Sequence, residues 1–254
     1  MMLSIIIPTL NESKTGYLAQ ILQSYNHLQN CEIICVDGGS VDNTLTIIAA
    51  AGVRVIKTNI ASRAGRLNVG ILHANADMIV LHHPRSILDV KGVEWLIKQK
   101  ESLVWGAFTH KFAMKHWLLK FTSWYSNHIR GDKRSVYYLD HCLFASRKLL
   151  LEVGMLPEVD IFEDTELCLR LRERSKGTRL SFISETSPVR FQSNGIYIQA
   201  ITNQYMKWLY YFKRSDTKIN KQYEKGIELN TQYQNTRIEG QHLTKDDGIF
   251  KALR

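Results

Sequence analysis

Short apolar runs alternate along the first hundred residues with longer segments in which apolar residues recur at helical spacing. The runs are rich in β-branched residues, as is typical of buried parallel strands, and the longer segments indicate amphipathic helices. This alternation predicts an α/β fold with a Rossmann-like, mostly parallel central sheet, right-handed crossovers and flanking helices. The predicted strands are Ser4–Ile7, Ile33–Val36, Val53–Lys57 and Met78–Leu81, and the predicted helices cover 14–28, from Ser40 or Asp42 to about Ala51, and 64–75.

The pattern becomes less regular after about residue 100. From residue 214 the chain is polar with little periodicity, which indicates a mobile tail or a loosely packed helix. We therefore expect one domain over residues 1–213 and a polar C-terminal tail over residues 214–254. The elements predicted in the second half are strands at Leu103–Phe112 and Val136–Ala145, and helices over 113–129, 146–153, from Asp164 to before Gly177, and over 195–213.

The composition adds a basic character and argues against several classes of protein. The 254 residues have a formal net charge of +9, and a basic surface attracts anions such as nucleotide diphosphates, nucleic acid or an anionic membrane. The four cysteines form no Cys-x-x-Cys pair, which suits a reducing cytosol rather than a disulfide framework. No signal peptide is visible, and no run approaches the roughly 18 apolar residues that span a bilayer. We expect a cytoplasmic protein, either soluble or at the inner face of the membrane.

Polar residues and glycines follow the predicted strands at the ends where α/β sheets bind their ligands. Asp37 comes directly after the second strand, and its carboxylate can accept hydrogen bonds from a base or a ribose. Gly38 and Gly39 would let the backbone approach a ligand. The alternative is that residues 37–40 form only a turn and a helix cap. Other candidates at strand ends are Thr9, Asn11, Glu12 and His82.

Charged residues at two predicted helix starts are further candidates. Arg63 and Arg66 are three residues apart, and arginine forks at a helix N-terminus suit phosphate oxygens. The alternative for this pair is a solvated basic face. Glu163 and Asp164 open a later helix, where a carboxylate can serve as a general base. The alternative for these two acids is that they only stabilise the start of the helix. Asp160 and Glu163 have capping-box spacing, and acidic residues are common in the first turn of a helix.

The order of these short motifs resembles that of family 2 glycosyltransferases. The motifs are Pro-Thr-Leu-Asn-Glu at residues 8–12, Val-Asp-Gly-Gly-Ser at 36–40, Arg-Ala-Gly-Arg at 63–66 and Glu-Asp at 163–164. Each motif is weak alone, but the ordered set is specific, and the resemblance covers roughly residues 3–212. It is closest to a small bacterial branch that has His-Ala-Asp after the fourth strand and Gly-Asp-Gln before a later Leu-Phe.

The resemblance implies a GT-A fold and an inverting transfer from a nucleotide sugar to a glycan or lipid-linked acceptor, as in polysaccharide biosynthesis. It implies that Asp164 deprotonates the acceptor hydroxyl, that Glu163 positions this site, and that Asp140 and His141 bind the acceptor. UDP is the first expectation for the nucleotide, because a carboxylate can accept the uracil imide N–H, and GDP is the second. The implied donor-binding residues are Pro8, Thr9, Asn11, Glu12, Asp37, Gly38, Arg63, Arg66 and His82.

The sequence departs from the family at the metal motif. Residues 81–85 read Leu-His-His-Pro-Arg, so Pro84 takes the place of the aspartate that would bind Mg²⁺ or Mn²⁺. Hard divalent ions prefer oxygen ligands, which proline and histidine do not supply. We therefore predict no metal ligand and a metal-independent transfer in which Arg85 neutralises the diphosphate. The alternatives are that Arg85 only decorates a surface loop, or that the protein is a non-catalytic homologue that binds a nucleotide or a glycan.

A basic and aromatic segment over residues 110–134 has two main interpretations. It holds six Lys and Arg residues against a single acid, Asp132, and Trp117, Phe121 and Trp124 recur at helical spacing. One interpretation is a core-facing aromatic stripe with a solvated basic face. The other is an interfacial helix that meets anionic lipid or a lipid-linked acceptor. Nucleic-acid binding ranks third and is not expected, because no nucleic-acid motif is present.

Overall fold

The computed structural model describes residues 2–99, 104–159 and 161–212. The predicted tail over 214–254 and Asp160 of the capping-box alternative lie outside these residues. Within the described residues, eight strands form a single sheet with a mostly apolar core. The strands are β1 (Leu3–Thr9), β2 (Cys31–Asp37), β3 (Arg54–Lys57), β4 (Met78–Leu81), β5 (Ser86–Leu88), β6 (Trp105–Phe112), β7 (Leu143–Ser146) and β8 (Thr178–Thr186).

The sheet has the order β3-β2-β1-β4-β7-β6-β8-β5. Strands β1 to β4 are mutually parallel, as the alternating pattern predicts. Strand β7 is antiparallel to both of its neighbours, β4 and β6, and β8 then pairs in parallel with β6. The carboxyl ends of β1, β2 and β4 therefore meet at one edge, where the motifs of the N-terminal half converge.

Nine helices are described, and they cover both faces of the sheet. Serine or aspartate side chains cap several of them: the Ser62 hydroxyl accepts from the amide of Gly65 at 3.1 Å, and Asp89 accepts from the amide of Lys91 at 3.0 Å. The helices are α1 (Tyr17–Tyr25), α2 (Thr44–Ala50), α3 (Arg63–His73), α4 (Val90–Lys98), α5 (Trp117–Tyr125), α6 (Arg147–Glu152), α7 (Glu163–Arg172), α8 (Val189–Asn194) and α9 (Ile196–Tyr211), with a π-helical segment over Ser126–Asp132 and 3₁₀ turns at Ser13–Thr15 and Leu139–His141.

Two hydrophobic cores, one on each face of the sheet, hold these layers together. One core packs α3 and α7 against the sheet around Ile6, Leu67 and Leu167. The other packs α1 and α4 against the opposite face around Ile5 and Leu22. Neighbouring residues of β1 thus point to opposite cores, which explains why this strand reads as a continuous apolar run.

The predicted strand at Val136–Ala145 is wrong for most of its length, since only Leu143–Ser146 is a strand. The backbone before it is bound by side chains of α7 instead of by a neighbouring strand. The amide of Tyr137 donates to Cys168 Sγ at 3.4 Å, and the amide of Leu139 donates to Asp164 Oδ2 at 2.8 Å. The apolar residues of this stretch are buried, so they carry a strand-like pattern without strand pairing.

The aromatic stripe of α5 faces solvent, so the core-facing interpretation of the stripe in residues 110–134 is wrong. Trp117 is 66% exposed, Phe121 55% and Trp124 48%, whereas Leu119 and Ser123 face the interior. The helix also ends at Tyr125 and continues as the π-helical segment. Among the described residues, no helix is long and apolar enough to cross a membrane.

Candidate active site

A cavity of about 910 Å³ opens beyond the carboxyl ends of β1 and β4. One wall consists of the strand ends and the start of α3, the floor is the start of α7, and α5, α8 and α9 form the opposite wall. Among the described residues, six cationic side chains and four carboxylates line it, and the cationic groups suit an anionic ligand. The cations are Arg63, Arg66, Arg85, Arg130, Arg190 and Lys207, and the carboxylates are Glu12, Asp140, Glu163 and Asp164.

Asp164 lies at the floor of the cavity in the first turn of α7. It is buried, and its carboxylate accepts from the amide of Leu139 at 2.8 Å and from the amide of Thr165 at 2.7 Å. Burial, and then the negative charge of Glu163, raise the pKa of Asp164 to about 6. A carboxylate with this pKa is ionised at neutral pH yet basic enough to accept a proton, which is what a general base requires.

Glu163 and Arg63 join the start of α7 to the start of α3. The Arg63 Nε donates to Glu163 Oε1 at 2.5 Å, and Arg63 Nη2 lies 3.9 Å from Asp164 Oδ2. Glu163 is buried, while the Arg63 side chain is 36% exposed. Arg63 therefore lines the cavity as predicted, but in this structure its guanidinium stabilises the two carboxylates.

Arg85 forms a buried, two-pronged ion pair with Glu12. Its Nε and Nη2 donate to the two carboxylate oxygens of Glu12 at 2.8 Å and 3.1 Å, and both residues are less than a tenth exposed. Arg85 is therefore not a decoration of a surface loop. Its charge is balanced by Glu12, which the sequence analysis predicted to bind the nucleotide. The pair links the end of β4 to the end of β1.

The residues after β4 do not fit a divalent metal ion. Pro84 faces the cavity without a ligand atom, and Glu12, the carboxylate that reaches this loop, is bound by Arg85. His82 is enclosed: its Nδ1 donates to the carbonyl of His83 and its Nε2 accepts from the Tyr25 hydroxyl, each at 2.8 Å. Among the described residues, no group of three His, Cys, Asp or Glu side chains could hold a metal.

The Asp37 carboxylate is held inside its own loop. It accepts from the amides of Gly39 and Ser40 at 3.0 and 2.8 Å, from the Ser40 hydroxyl at 2.6 Å and from the Thr9 hydroxyl at 3.0 Å. Four donors satisfy both oxygens, which supports the turn interpretation of this loop. A direct contact of Asp37 with a base stays a prediction.

The Asp37 loop is tied to the arginine at the start of α3. The guanidinium of Arg66 donates to the carbonyl of Thr9 at 2.6 Å. A Cβ added at Gly38 would lie 2.7 Å from the carbonyl oxygen of Ile60 and 2.9 Å from Arg66 Nη1, so glycine is required at this position for packing. Asn11 orders the neighbouring turn, because its side-chain oxygen accepts from the amide of Val41 at 3.0 Å.

Of the two predicted acceptor residues, Asp140 lines the cavity and His141 does not. Asp140 Oδ2 lies 3.5 Å from His110 Nε2, and its Oδ1 is buried without a hydrogen bond. The His141 ring points inward, between the carbonyl of Phe108 at 3.1 Å and the Ser126 hydroxyl at 2.8 Å. Its imidazole is fully buried, so the assignment of His141 to the acceptor is corrected to a structural role.

The cavity thus brings together eight of the predicted site residues and leaves six outside its lining. The six residues outside the lining stabilise loops or lie in the protein interior. His82, like His141, is buried and cannot contact a bound nucleotide sugar in this structure. Inside are Pro8, Glu12, Arg63, Arg66, Arg85, Asp140, Glu163 and Asp164; outside are Thr9, Asn11, Asp37, Gly38, His82 and His141.

Sequence reasoning missed three residues on the far wall. Arg130, Tyr138 and Lys207 line the cavity opposite the strand ends. The only signal in the sequence was the basic character of residues 110–134, which includes Arg130. Lys207 lies in an aromatic helix that carried no functional signal of its own.

Residues 4–84 match the family model described as Glycosyl transferase family 2. The resemblance is confirmed over these residues. They include the strand ends, the Asp37 loop and the start of α3. The comparison with curated proteins finds no matching sequence.

Solved structures share the fold of the chain at low sequence identity. The crystal structure of S. aureus TarS matches 74% of this chain and 37% of its own, with a TM-score of 0.59 and 19% identity. Glucosyl-3-phosphoglycerate synthase from Mycobacterium tuberculosis, solved with Mn²⁺, UDP and glucosyl-3-phosphoglycerate, matches 72% of this chain and 70% of its own, with a TM-score of 0.55 and 18% identity.

The mannosyltransferase PcManGT from Pyrobaculum calidifontis, solved with GDP-Man and Mn²⁺, matches 72% of this chain and 56% of its own, with a TM-score of 0.54 and 15% identity. These neighbours confirm the predicted GT-A-type α/β fold. The chain spans only 37% of the TarS chain and 61% of the TarS 1-349 chain solved with UDP.

The Arg85–Glu12 pair yields a stability prediction. Glu12→Gln would leave a buried guanidinium without its carboxylate, so we expect a loss of about 3–5 kcal/mol in the free energy of unfolding. The double variant with Arg85→Met should lose less than the sum of the two single variants, because the residues are in contact. Urea unfolding of the three variants measures both quantities.

The matched control is Glu185→Gln, which breaks the exposed Lys111–Glu185 pair at 2.8 Å. We expect this variant to lose less than about 1 kcal/mol. A Glu12→Gln variant as stable as the control would mean that the buried pair does not stabilise the fold.

Proposed function

We propose that the protein is an inverting glycosyltransferase that moves a sugar from a nucleotide sugar to a hydroxyl of a glycan or lipid-linked acceptor. The observation that carries the proposal is the buried carboxylate of Asp164 at the floor of a cavity lined by arginines, with a pKa raised to about 6. UDP is the first choice of nucleotide and GDP the second. TarS 1-349 has been solved with UDP-GlcNAc and PcManGT with GDP-Man, and these neighbours support both nucleotides as candidates.

In this reaction the acceptor oxygen attacks the anomeric carbon from the side opposite the diphosphate. A glycosidic C–O bond forms while the bond from the anomeric carbon to the diphosphate oxygen breaks, and its electron pair leaves with the nucleoside diphosphate. The acceptor proton passes to Asp164. Attack from the opposite side inverts the configuration, and general-base assistance contributes about 10²–10⁴ in rate.

The leaving diphosphate would be stabilised by arginines, because the residues after β4 do not fit a metal ion. Arg66 and Arg85 line the cavity beside the ends of β1 and β4, where the diphosphate would lie. Arg85 is already oriented by Glu12, which fixes its fork in a partly desolvated site. Because the carboxylate of Glu12 offsets the positive charge of Arg85, we expect Arg66 to contribute more to the stabilisation of the diphosphate.

The second candidate is a non-catalytic homologue that binds a nucleotide or a glycan. The observation that favours it is that Arg63 and Arg85 are engaged with Glu163 and Glu12 in the structure. A nucleotide-binding homologue would share donor binding with the enzyme, but only the enzyme predicts sugar transfer or slow hydrolysis of a nucleotide sugar. Incubation with a panel of UDP- and GDP-sugars separates them.

A peripheral contact with an anionic membrane is part of the proposal. The exposed aromatic stripe of α5 is joined by α9, where Ile201 is 71% and Trp208 52% exposed. Lys115 and Lys120 are exposed on the same segment as the α5 stripe. Exposed aromatic and basic residues beside a cavity suit the interface of a bilayer that carries a lipid-linked acceptor.

Asp164→Asn tests the base. The variant keeps the shape of the side chain but cannot accept the proton, so we expect the transfer rate to fall by about 10²–10⁴ with donor affinity nearly unchanged. In the wild type the rate should fall as the pH drops below about 6, because the base becomes protonated. Glu158→Gln, an exposed acid shortly before α7, is the control. Near-normal turnover of Asp164→Asn would leave this residue a helix-terminus acid.

The donor site is tested by binding. UDP at 100 times its dissociation constant should stabilise the protein by about 2.7 kcal/mol, seen as a higher Tm. EDTA should not change this shift, since the β4 loop lacks metal ligands. Asp37→Asn should weaken UDP binding about 10-fold by loosening the loop beside the base, whereas the exposed Asp77→Asn should not. Loss of UDP binding in EDTA, or an unaffected Asp37→Asn, would contradict this account of the donor site.

The membrane contact is tested with vesicles. The wild type should co-sediment with vesicles of phosphatidylcholine and phosphatidylglycerol, and less so in high salt. Replacing Trp117 and Trp124 together with serine should weaken this binding about 10-fold or more, since each aromatic contributes on the order of 1–2 kcal/mol of burial. Val41→Ser, an exposed apolar residue elsewhere, is the control. Equal sedimentation of all three proteins would refute a role for the stripe.

A further inference from the structure

The residue that precedes the two acids of α7 has an unusual backbone conformation. Phe162, at the N-terminal cap of this helix, has φ 64° and ψ 22°, in the left-handed region that favours glycine. A bulky side chain is rarely found there. Such a conformation is unfavourable for phenylalanine and persists only where the surrounding contacts fix it. The contacts of Phe162 therefore decide how α7 begins.

Helix α9 supplies contacts of this kind. The ring centres of Phe162 and Tyr210 are 4.7 Å apart. Phe162 and its neighbour Ile161 also pack against Met206 and Leu209, which are buried. This small cluster is separate from the two main cores of the protein. The start of α7 is therefore held from the side of α9 by a local set of contacts.

Tyr210 also reaches past the two acids into the first turn of α7. Its hydroxyl donates to Oε1 of Glu166, which lies after Asp164 in the same turn. The ring of Tyr210 thus lies against the residue before Glu163 and Asp164, and its hydroxyl binds a residue after them. One side chain therefore contacts α7 on both sides of the proposed base.

We propose that Tyr210 is a positioning residue that holds the start of α7 so that Asp164 lies at the floor of the cavity. This inference rests on the proposed function, which it extends by naming a residue that controls the base. Among the described residues, Tyr210 is not part of the cavity lining, so it acts through Phe162 and Glu166 and not by contact with a substrate.

The position of Asp164 sets its pKa as well as its contacts. Burial raises the pKa to about 6, with Glu163 and Asp140 acting in the same direction, whereas Arg63 and the amide of Leu139 oppose the change. When α7 loses its anchor on α9, water gains access to the carboxylate, and the largest cause of the raised pKa weakens. The pKa should then fall toward the ordinary value of about 3.9.

Titration of Asp164 in the full chain examines the inference without turnover. Carbon NMR of isotope-labelled aspartate carboxyl groups gives the midpoint, and the resonance is assigned by its loss in Asp164→Asn. The wild type should titrate near pH 6. Tyr210→Leu removes the ring and the hydroxyl, so it should lower the midpoint by roughly one pH unit; Tyr210→Phe keeps the ring and should lower it less. Tyr17→Phe, on α1 at the opposite face of the sheet, should not change it.

Kinetics give a second readout. A misplaced base slows the chemical step more than it weakens donor binding, so Tyr210→Leu should lower kcat about 10-fold to 100-fold with the donor KM nearly unchanged. The acid limb of its pH–rate profile should move to lower pH together with the NMR midpoint. A substitution that only lowered the overall stability would leave the midpoint and the profile of the folded protein unchanged.

A glycine in place of Phe162 checks the route of the effect. Glycine takes the left-handed conformation freely and has no ring for Tyr210 to contact. Tyr210→Leu should therefore change the midpoint less in a Phe162→Gly chain than in the wild type, so the two substitutions should be non-additive. Circular dichroism of each variant establishes that it is folded.

The inference is overturned if Tyr210→Leu titrates and turns over like the wild type, or if its effect is the same in the Phe162→Gly chain. These outcomes are separable from those of the proposed function. Transfer by a wild type whose base does not depend on Tyr210 would count against the inference alone. A midpoint that depends on Tyr210, in a protein that neither binds a nucleotide nor transfers a sugar, would count against glycosyl transfer alone.

Discussion

The hydrogen bond from the Leu139 amide to the Asp164 carboxylate joins the segment before β7 to the first turn of α7, and much of the surrounding structure depends on it. It draws the segment before β7 away from strand pairing and onto the start of α7. The Leu139 hydrogen bond itself lowers the pKa of Asp164, but burial, which is the first cause, outweighs it and raises the pKa to about 6. Burial at the start of α7 therefore gives Asp164 the property that a base needs.

Pairs of opposite charge organise the rest of the cavity. Arg63 binds Glu163 at 2.5 Å beside the proposed base, and Arg85, which lies where a diphosphate would be expected, is oriented by both oxygens of Glu12. Buried pairs of this kind contribute little net stability, but breaking one is costly because a charge is left alone. The Arg85–Glu12 pair places a cationic group after the end of β4, in a loop whose residues do not suit a metal ion.

The two walls of the cavity differ in character. The strand-end wall is polar and rigid, since parallel strands and short loops hold it. The opposite wall consists of α5, α8 and α9, of which α5 and α9 carry exposed aromatic residues, and there Arg130 of the π-helical segment and Lys207 of α9 lie beside the Tyr138 ring. A strand-end wall for the donor and a helical wall for the acceptor would suit the proposed glycosyl transfer.

The sequence by itself determined the elements whose signals are local. The apolar runs predicted β1 to β4, the periodic segments predicted α3 and α7, and the ordered motifs predicted the GT-A-type fold. Asp164 was also a candidate from its place at a helix start. These predictions hold because strand and helix periodicity, capping and strand-end positions depend on neighbours in the chain.

Only the tertiary structure decided which candidates meet. Glu12 and Arg85 are 73 residues apart, Arg63 and Glu163 are 100 apart, and His82 is enclosed by Tyr25 from 57 residues away. No local pattern encodes such contacts. The sequence analysis therefore assigned His82 to the donor and His141 to the acceptor, and predicted a strand over residues 136–142. The raised pKa of Asp164 and the meeting of Arg130 with Lys207 likewise arise from burial and from packing between distant elements, which periodicity does not describe.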